Sequence, residues 1–283
     1  MKKCASFTLI LLLAVTSCQK AEKAEFLKIN GSTTVNLPAA EAAEVLRSEQ
    51  GMNIQIDTQG GSSGGISMLG EGRVDIGMSS KKLKQSDRDK FPACDYHDVK
   101  IGEDAVAMIV SKDVWHGGVH SISKEEMKGI YEGKIINWKE LGGSDQKIVF
   151  YNKEPGRGTW EVFAKWAYGS AKNAPPVSFP EVGGNEETRN KVSSTKGALS
   201  QLSASWADGE SVFALGLEAE DGTVILPSNE NIASHTYAMS RPLYLLTNGE
   251  PVGLAKIYID FLLSPAGQEI VKKHDYLSLS DLN

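Results

Sequence analysis

Hydrophobic and polar positions along the chain predict short strands that alternate with helices. Residues 53–57 alternate polar and apolar side chains, which is typical of a half-buried strand. Residues 104–111 (DAVAMIVS) form a continuous apolar run, as in a strand buried on both faces. Residues 252–263 form a strongly apolar helix that Ser264 and Pro265 interrupt. This alternation predicts an α/β fold whose ligand crevice lies beyond the carboxyl ends of the strands.

The same patterns place the remaining elements. Ser123, with Glu126 three residues later, predicts a capped helix, and Asn36 is in position to cap an earlier one. Residues 185–205 are helical in parts, although Gly197 weakens that prediction. Further strands are predicted at 27–30, 74–78, 147–152, 212–217, 223–226 and 244–247, and helices at 36–48, 123–131, 160–168 and 266–273.

A glycine and serine loop, residues 60–65 (GGSSGG), separates the strand 53–57 from the helix expected after it. Its glycines allow close approach of the backbone, and Ser62 and Ser63 add hydroxyl donors beside unpaired helix N–H groups. Hydroxyl-rich or glycine-rich loops also follow the strands at 27–30 and 147–152. Three loops of one kind predict a shared oxyanion site; in the alternative, each hydroxyl only caps its own helix.

The first residues read as an export signal. Lys2 and Lys3 precede a short apolar run that ends in small residues, and the segment resembles a bacterial lipoprotein signal. Cleavage after residue 17 would leave Cys18 as the lipid-modified first residue, with residues 18–26 as a tether to the fold and to the membrane. The alternative is a plain secretory signal.

Composition narrows the functional classes. The chain has 283 residues, of which 41% are hydrophobic, enough for one large domain or two modest ones. Loss of residues 1–17 removes two lysines and no acid, so the formal charge of -6 becomes -8. An acidic protein does not suit nucleic acid, so local donors must hold any anion. Cys94 is expected to be a buried free thiol, and we expect no metal and no cofactor, because His116 and His120 flank glycines rather than share a helix face.

Seven fragments, in this order, identify a resemblance that runs from about residue 27 to residue 276. The chain resembles the phosphate-binding proteins of Pst-type ABC importers, which have the two-lobed type II periplasmic-binding-protein fold. The fragments are GSTTV from Gly31, GGSSGG from Gly60, DIGMSS from Asp75, GKIINWKELGG from Gly133, EPGRGT from Glu154, RPLYLLTNGEP from Arg241 and FLLSPAGQEIV from Phe261.

The resemblance implies a phosphate site built from loops on both lobes. The family usually has Arg where this chain has Lys153 and Ser where it has Arg157, so which of the two is the main charged ligand stays open. The implied phosphate-binding residues are Ser32, Thr33, Thr34, Ser62, Ser63, Ser79, Ser80, Lys153, Arg157, Gly158 and Thr159.

Hydrogen phosphate carries a proton that needs an acceptor, and some relatives have an aspartate where this chain has Ser80. Rejection of sulfate is therefore expected to be weaker, or to depend on Asp57, Asp75 or Glu154. Lys81, usually Arg in close relatives, either reaches the ligand or lies exposed on the next turn.

The resemblance also implies an organisation and a function. Lobe 1 would comprise residues 27–104 and 239–283, and lobe 2 residues 105–238, with hinges near 102–107 and 238–242. The protein would be a non-enzymatic monomer that captures inorganic phosphate outside the cytoplasmic membrane and delivers it to an ABC permease. The alternatives are a receptor for sulfate, molybdate or tungstate, a secreted phosphatase, and a sensor or adhesin lipoprotein that lost transport.

Overall fold

The computed structural model describes residues 25–282 of the chain, and over that range it shows a mixed α/β fold. The α/β class predicted from the hydrophobic pattern is confirmed. The strands are β1 (Phe26–Gly31), β2 (Asn53–Asp57), β3 (Ile76–Ser79), β4 (Tyr96–Ser111), β5 (Ser121–Ser123), β6 (Val149–Lys153), β7 (Glu181–Val182), β8 (Ala198–Ser203), β9 (Val212–Ala214), β10 (Gly216–Glu218), β11 (Val224–Ile225) and β12 (Ser240–Asn248).

Helices cover both faces of the strands. The α-helices are α1 (Asn36–Gln50), α2 (Gly61–Gly70), α3 (Gln85–Lys90), α4 (Lys112–His116), α5 (Lys124–Tyr131), α6 (Gly158–Tyr168), α7 (Asn185–Ser194), α8 (Asn229–Ala233), α9 (Gly253–Leu263) and α10 (Pro265–Lys273). Short 3-10 helices lie at Trp138–Leu141, Ala204–Trp206 and Leu279–Leu282. No helix within residues 25–282 combines the length and apolar character needed to cross a bilayer.

The long strand β4 joins two groups of strands into one sheet. Among the described residues, the sheet runs in the order β2-β1-β3-β12-β4-β8-β6-β7, and β9 also pairs with β4. The first part of β4 pairs antiparallel with β12, and its second part pairs antiparallel with β8. We call β2, β1, β3 and β12 the first half-sheet, and β8, β6, β7 and β9 the second half-sheet. A separate sheet has the order β11-β10-β5.

Each half-sheet has a hydrophobic core of its own. On the first, Leu46 of α1 and Leu262 of α9 pack with strand residues such as Ile29. On the second, Tyr131 of α5 and Phe163 of α6 belong to a separate cluster that covers the inner strands. The two cores approach each other around β4 and β12 and at Tyr276 and Leu277 near the end of the chain.

Most element boundaries follow the predictions, and the capping prediction at Ser123 is confirmed. Its hydroxyl accepts from the Glu126 amide at 3.2 Å, and the Glu126 carboxylate accepts from the Ser123 amide at 2.8 Å. The prediction that Asn36 caps a helix is wrong, because Asn36 is the first residue of α1. The hydroxyl of Ser32 instead accepts from the amides just before that helix.

Residues 185–205 are helical in parts, as predicted: α7 ends at Ser194, Gly197 adopts a φ of 72°, and β8 leads into the 3-10 helix Ala204–Trp206. One further prediction needs correction. Phe26, which the sequence assigns to the tether, is the first residue of β1. Cys94 is a buried free thiol, as predicted. The predicted signal, residues 1–17, and Cys18 lie outside the described residues.

Candidate functional site

Loops and helix starts from both half-sheets enclose one small cavity of about 10 Å³. This volume is below the range of roughly 300–1,000 Å³ typical of sites for drug-sized ligands. The first half-sheet contributes the loop before α1, the start of α2 and the end of β3, and the second contributes β6 and the starts of α6 and α7. The lining residues are Ser32, Thr33, Thr34, Gly61, Ser62, Ser80, Lys153, Arg157, Gly158, Thr159 and Asn185.

Three helices begin at the cavity without a side-chain cap. The N-cap residues of α2, α6 and α7 are Gly60, Arg157 and Gly184, and none of them accepts a hydrogen bond from its helix through its side chain. The first N–H groups of a helix have no intrahelical partner, and they carry the positive end of the helix dipole. Uncapped helix starts that meet at one cavity form a site suited to an anion.

Glycine allows these helix starts to pack closely. A Cβ on Gly158 would lie 2.6 Å from the Ser80 hydroxyl oxygen and 2.9 Å from that of Ser62. Gly61, with a φ of 56°, lies beneath the Arg157 side chain and would place a Cβ 3.0 Å from its Cδ. Any larger residue at position 158 would therefore push the backbone of α6 away from the opposite half-sheet.

Three serines of the first half-sheet form a hydroxyl chain at the cavity. Ser32 Oγ donates to Ser80 Oγ at 3.0 Å, and Ser80 Oγ lies 3.3 Å from Ser62 Oγ. Ser62 Oγ also accepts from the Ser80 amide at 3.1 Å. The proton of Ser32 is thus used within the chain, as is one proton of the Ser62 and Ser80 pair, which leaves one hydroxyl proton of Ser62 or Ser80 to face a ligand.

Beneath the cavity lies a buried ion pair between Arg241 of β12 and Asp104 of β4, which are paired residues on neighbouring strands. Arg241 Nε and Nη2 both donate to Asp104 Oδ2, at 3.0 and 2.7 Å, and Ser203 Oγ donates to the other carboxylate oxygen at 2.9 Å. Burial raises the pKa of Asp104, against the opposing charge of Arg241. The pair occupies the junction of the two half-sheets.

Arg241 also fixes the direction of the threonine hydroxyls. Its Nη2 donates to Thr34 Oγ1 at 3.0 Å, and its Nη1 donates to Thr159 Oγ1 at 2.9 Å. Thr34 Oγ1 accepts a second bond from Asn185 Nδ2 at 3.1 Å, so its own proton is the group left for a ligand. Neither threonine, nor Ser62, caps its own helix, which removes the capping alternative for these residues.

Two further cations line the cavity. Lys153 is buried, and its Nζ donates to the carbonyl oxygens of Gly183 and Gly184 at 2.8 and 3.0 Å, which fastens the start of α7. Burial, together with the charges of Arg157 and Arg241, lowers the pKa of Lys153 well below its usual value. Arg157 donates through Nε and Nη2 to Glu154, and its Nη1 lies over Gly61.

Nine of the eleven residues implied by the resemblance line the cavity. The other two, Ser63 and Ser79, do not. Ser63 Oγ donates to the Gly156 carbonyl at 2.7 Å, and Ser79 Oγ donates to the Lys81 carbonyl at 2.8 Å.

Sequence reasoning missed Asn185, Asp104 and Arg241. Asn185 follows a pair of glycines at a helix start, which is the same signal that marked the other loops. Asp104 opens an apolar run, where a charged residue requires a buried partner.

Three acidic residues considered as acceptors lie outside the cavity lining. Asp57 accepts from the amide of Thr58, and Asp75 accepts from the amide of Lys28 at 2.7 Å. Glu154 accepts a hydrogen bond from Arg157 Nη2 at 2.7 Å. Lys81 does not line the cavity, so it is not placed to reach a ligand there. It is not exposed either, because its side chain is 6% exposed and forms an ion pair with Glu161.

His116 ends α4, and His120 contacts the carbonyl of Trp115. No group of three or more His, Cys, Asp or Glu side chains within residues 25–282 is arranged to hold a metal ion.

A family model described as a PBP superfamily domain matches residues 16–266. Phosphate-binding protein PstS of Bacillus subtilis (strain 168) is 34% identical over 269 residues, which cover 94% of this chain and 85% of that protein. Phosphate-binding protein PstS of Borreliella burgdorferi is 26% identical over 283 residues, which cover 96% of this chain and 97% of that protein.

Solved structures agree with the sequence relatives. A phosphate ABC transporter substrate-binding protein from Clostridium perfringens, solved with bound phosphate, superposes with a TM-score of 0.79 at 31% identity, covering 90% of this chain and 100% of that one. An ABC-type phosphate transport receptor from Vibrio cholerae gives a TM-score of 0.69 at 28% identity, covering 89% and 99%.

Replacement of Arg241 by Met should destabilise the protein by about 3–5 kcal/mol, because it leaves the buried Asp104 without its charged partner. The free energy of unfolding in urea measures the effect. The control is Arg189→Met, which removes the more exposed ion pair with Asp208 and should cost less than about 1 kcal/mol. Equal losses for the two variants would contradict the structural role given to Arg241.

Proposed function

Because the chain belongs to the PBP superfamily, and within it to the PstS-type phosphate-binding proteins, we propose that it captures inorganic phosphate and delivers it to an ABC importer. Relatives across nearly the whole chain are named as phosphate-binding proteins or phosphate transport receptors. The function is binding for transport rather than catalysis.

The observation that carries the proposal is the convergence of uncapped helix starts and hydroxyl donors on one small cavity. A desolvated phosphate needs many fixed donors, and backbone N–H groups with oriented hydroxyls supply them without rearrangement. Arg157 and Lys153 add positive charge at the lining, and Arg241 orients the hydroxyls of Thr34 and Thr159 from beneath. Local donors thus attract an anion to a protein of net negative charge.

We propose Ser32, Thr33, Thr34, Ser62, Ser80, Lys153, Arg157, Gly158 and Thr159, with Asn185, as the phosphate-binding set. Ser63 and Ser79 support the loops from behind. Among the described residues that line the cavity there is no carboxylate, so the phosphate proton would be accepted by a hydroxyl oxygen of the lining that still has a free lone pair.

We propose that the two half-sheets belong to lobes that close on phosphate. Lobe 1 comprises residues 27–104 and 239–283, and lobe 2 residues 105–238. The separate cores on the two half-sheets support this division, and so does the pairing of β4 with β12 where the cores meet. A ligand that touches both lobes has higher affinity for the closed state and shifts the population towards it.

We propose an extracytoplasmic location, with lipid on Cys18 as the anchor to a bacterial membrane and a monomer as the working form. The support is the signal-like residues 1–17, together with the similarity to a phosphate ABC transporter substrate-binding protein. Residues 18–25 would then connect the anchor to β1.

Phosphate should stabilise the purified protein against thermal unfolding, whereas sulfate, molybdate and tungstate at the same concentration should do so less. At a concentration of 100 times Kd, phosphate contributes about 2.7 kcal/mol, which should raise Tm by about 5 °C or more. A rise in Tm with molybdate or sulfate, and none with phosphate, would show that the proposed ligand is wrong.

Arg157→Ala tests the site itself. Loss of a charged donor at the lining should weaken phosphate affinity about tenfold or more, measured by calorimetry. Arg189→Ala, whose ion pair with Asp208 lies outside the cavity lining, is the control and should bind as the wild type does. Unchanged affinity in Arg157→Ala would remove that residue from the site.

Saturating phosphate should reduce the radius of gyration measured by small-angle X-ray scattering, because closure of the lobes makes the molecule more compact. Chloride at matched ionic strength is the control. Identical scattering with and without phosphate, under conditions where calorimetry shows binding, would exclude the two-lobe closure.

Cys18→Ser should release the protein from the membrane fraction of cells that express the full chain, because the serine hydroxyl cannot replace the thiol that receives the lipid. Fractionation followed by immunoblotting measures this. Cys94→Ser, in the folded part, is the control and should stay with membranes. Equal membrane association of both variants would contradict lipid anchoring at Cys18.

A further inference from the structure

Glu161 of α6 connects the second half-sheet to the first, outside the anion cavity. Its two carboxylate oxygens accept from Nζ of Lys81 and Nζ of Lys84. Both lysines follow β3 of the first half-sheet, and Glu161 lies in the first turn of the helix that follows β6. The ion pair therefore joins the two half-sheets across the space between them, which we call the cleft. Lys81 follows Ser80 in the sequence, and Glu161 lies two residues after Thr159.

Burial distinguishes this contact from an ordinary surface ion pair. The side chains of Lys81 and Glu161 are 6% and 13% exposed, whereas that of Lys84 is 51% exposed. Burial alone raises the pKa of Glu161, but the charge of Lys81 and the hydrogen bonds from both lysines outweigh it and hold the pKa below its usual value. Glu161 is thus a charged group held between two cations.

Ser63 extends the same contact to a third segment. Its Oγ accepts from Lys81 Nζ at 2.9 Å and donates to the Gly156 carbonyl at 2.7 Å. Gly156 lies in the loop between β6 and α6, so the start of α2 in the first half-sheet is bonded to the second. Ser63, which the resemblance implies as a phosphate ligand, serves this contact instead.

We propose that Ser63, Lys81 and Glu161 form a latch across the cleft, and that Glu161 is a positioning residue that sets how long phosphate stays bound. None of the three lines the cavity. The inference rests on the proposed function.

The latch can slow opening because its bonds exist only when the two half-sheets are in contact. Opening separates Glu161 from Lys81 and Lys84 and must rehydrate them, so the latch slows opening, while the open form admits phosphate as before. Because phosphate leaves through the open form, loss of the latch raises the dissociation rate constant. The association rate constant changes little.

Glu161→Gln keeps the shape of the side chain and removes its charge, so it is the main test. Stopped-flow fluorescence with inorganic phosphate should show a dissociation rate constant about tenfold higher than in the wild type, with an association rate constant within about twofold. Ser63→Ala, a milder change, should raise dissociation about threefold. Far-UV circular dichroism checks that each variant is folded.

The matched control is Glu132→Gln, which removes an ion pair with Lys134. Both residues belong to the second half-sheet's side of the cleft, so the variant should keep both rate constants of the wild type. In a double-mutant cycle, Lys81→Gln added to Glu161→Gln should cost less than the two single changes together.

A dissociation rate constant within twofold of the wild type in both Glu161→Gln and Ser63→Ala would overturn the latch, even if Tm falls, because a purely structural role lowers stability without changing dissociation. Failure of the wild type to bind phosphate would instead refute the proposed function, and the stated role of the latch with it.

Discussion

The buried ion pair of Arg241 with Asp104 is the interaction on which the site depends. Asp104 neutralises the guanidinium group where β4 and β12 cross between the half-sheets. The remaining donors of Arg241 then reach hydroxyls on three separate segments, at Thr34, Ser80 and Thr159. A planar group with five donors in fixed directions can hold several loops at once, which a lysine cannot do.

This arrangement explains how an acidic protein can hold an anion. Net charge acts at long range and is screened by salt, whereas donors in contact with a desolvated ion act at full strength. The uncapped starts of α2, α6 and α7 leave their N–H groups for the ligand, and Arg241 turns the threonine hydroxyls so that their protons are free to donate. Glu161 and Ser63 make further contacts between the two half-sheets outside the cavity lining.

Much of the fold and site could be predicted from the sequence because the signals are local. A strand, a loop rich in glycine or hydroxyl groups and a helix recur, and the loops at Ser32, Ser62 and Gly158 all reach the cavity. Ser63 and Ser79 could not be separated from Ser62 and Ser80, because neighbouring serines on a turn point in different directions that only the backbone decides. Arg241 and Asp104 were missed because their contact joins residues far apart in sequence: the apolar run that Asp104 opens indicates a buried partner, but nothing local identifies that partner as Arg241.

The most direct test of the central claim is a crystal structure of the protein grown with phosphate. The account predicts one phosphate in the cavity, with oxygens within about 3.2 Å of the hydroxyls of Thr34 and Thr159 and of the first amides of α2 and α6. Phosphate bound elsewhere, with helix starts that do not face it, would contradict the account.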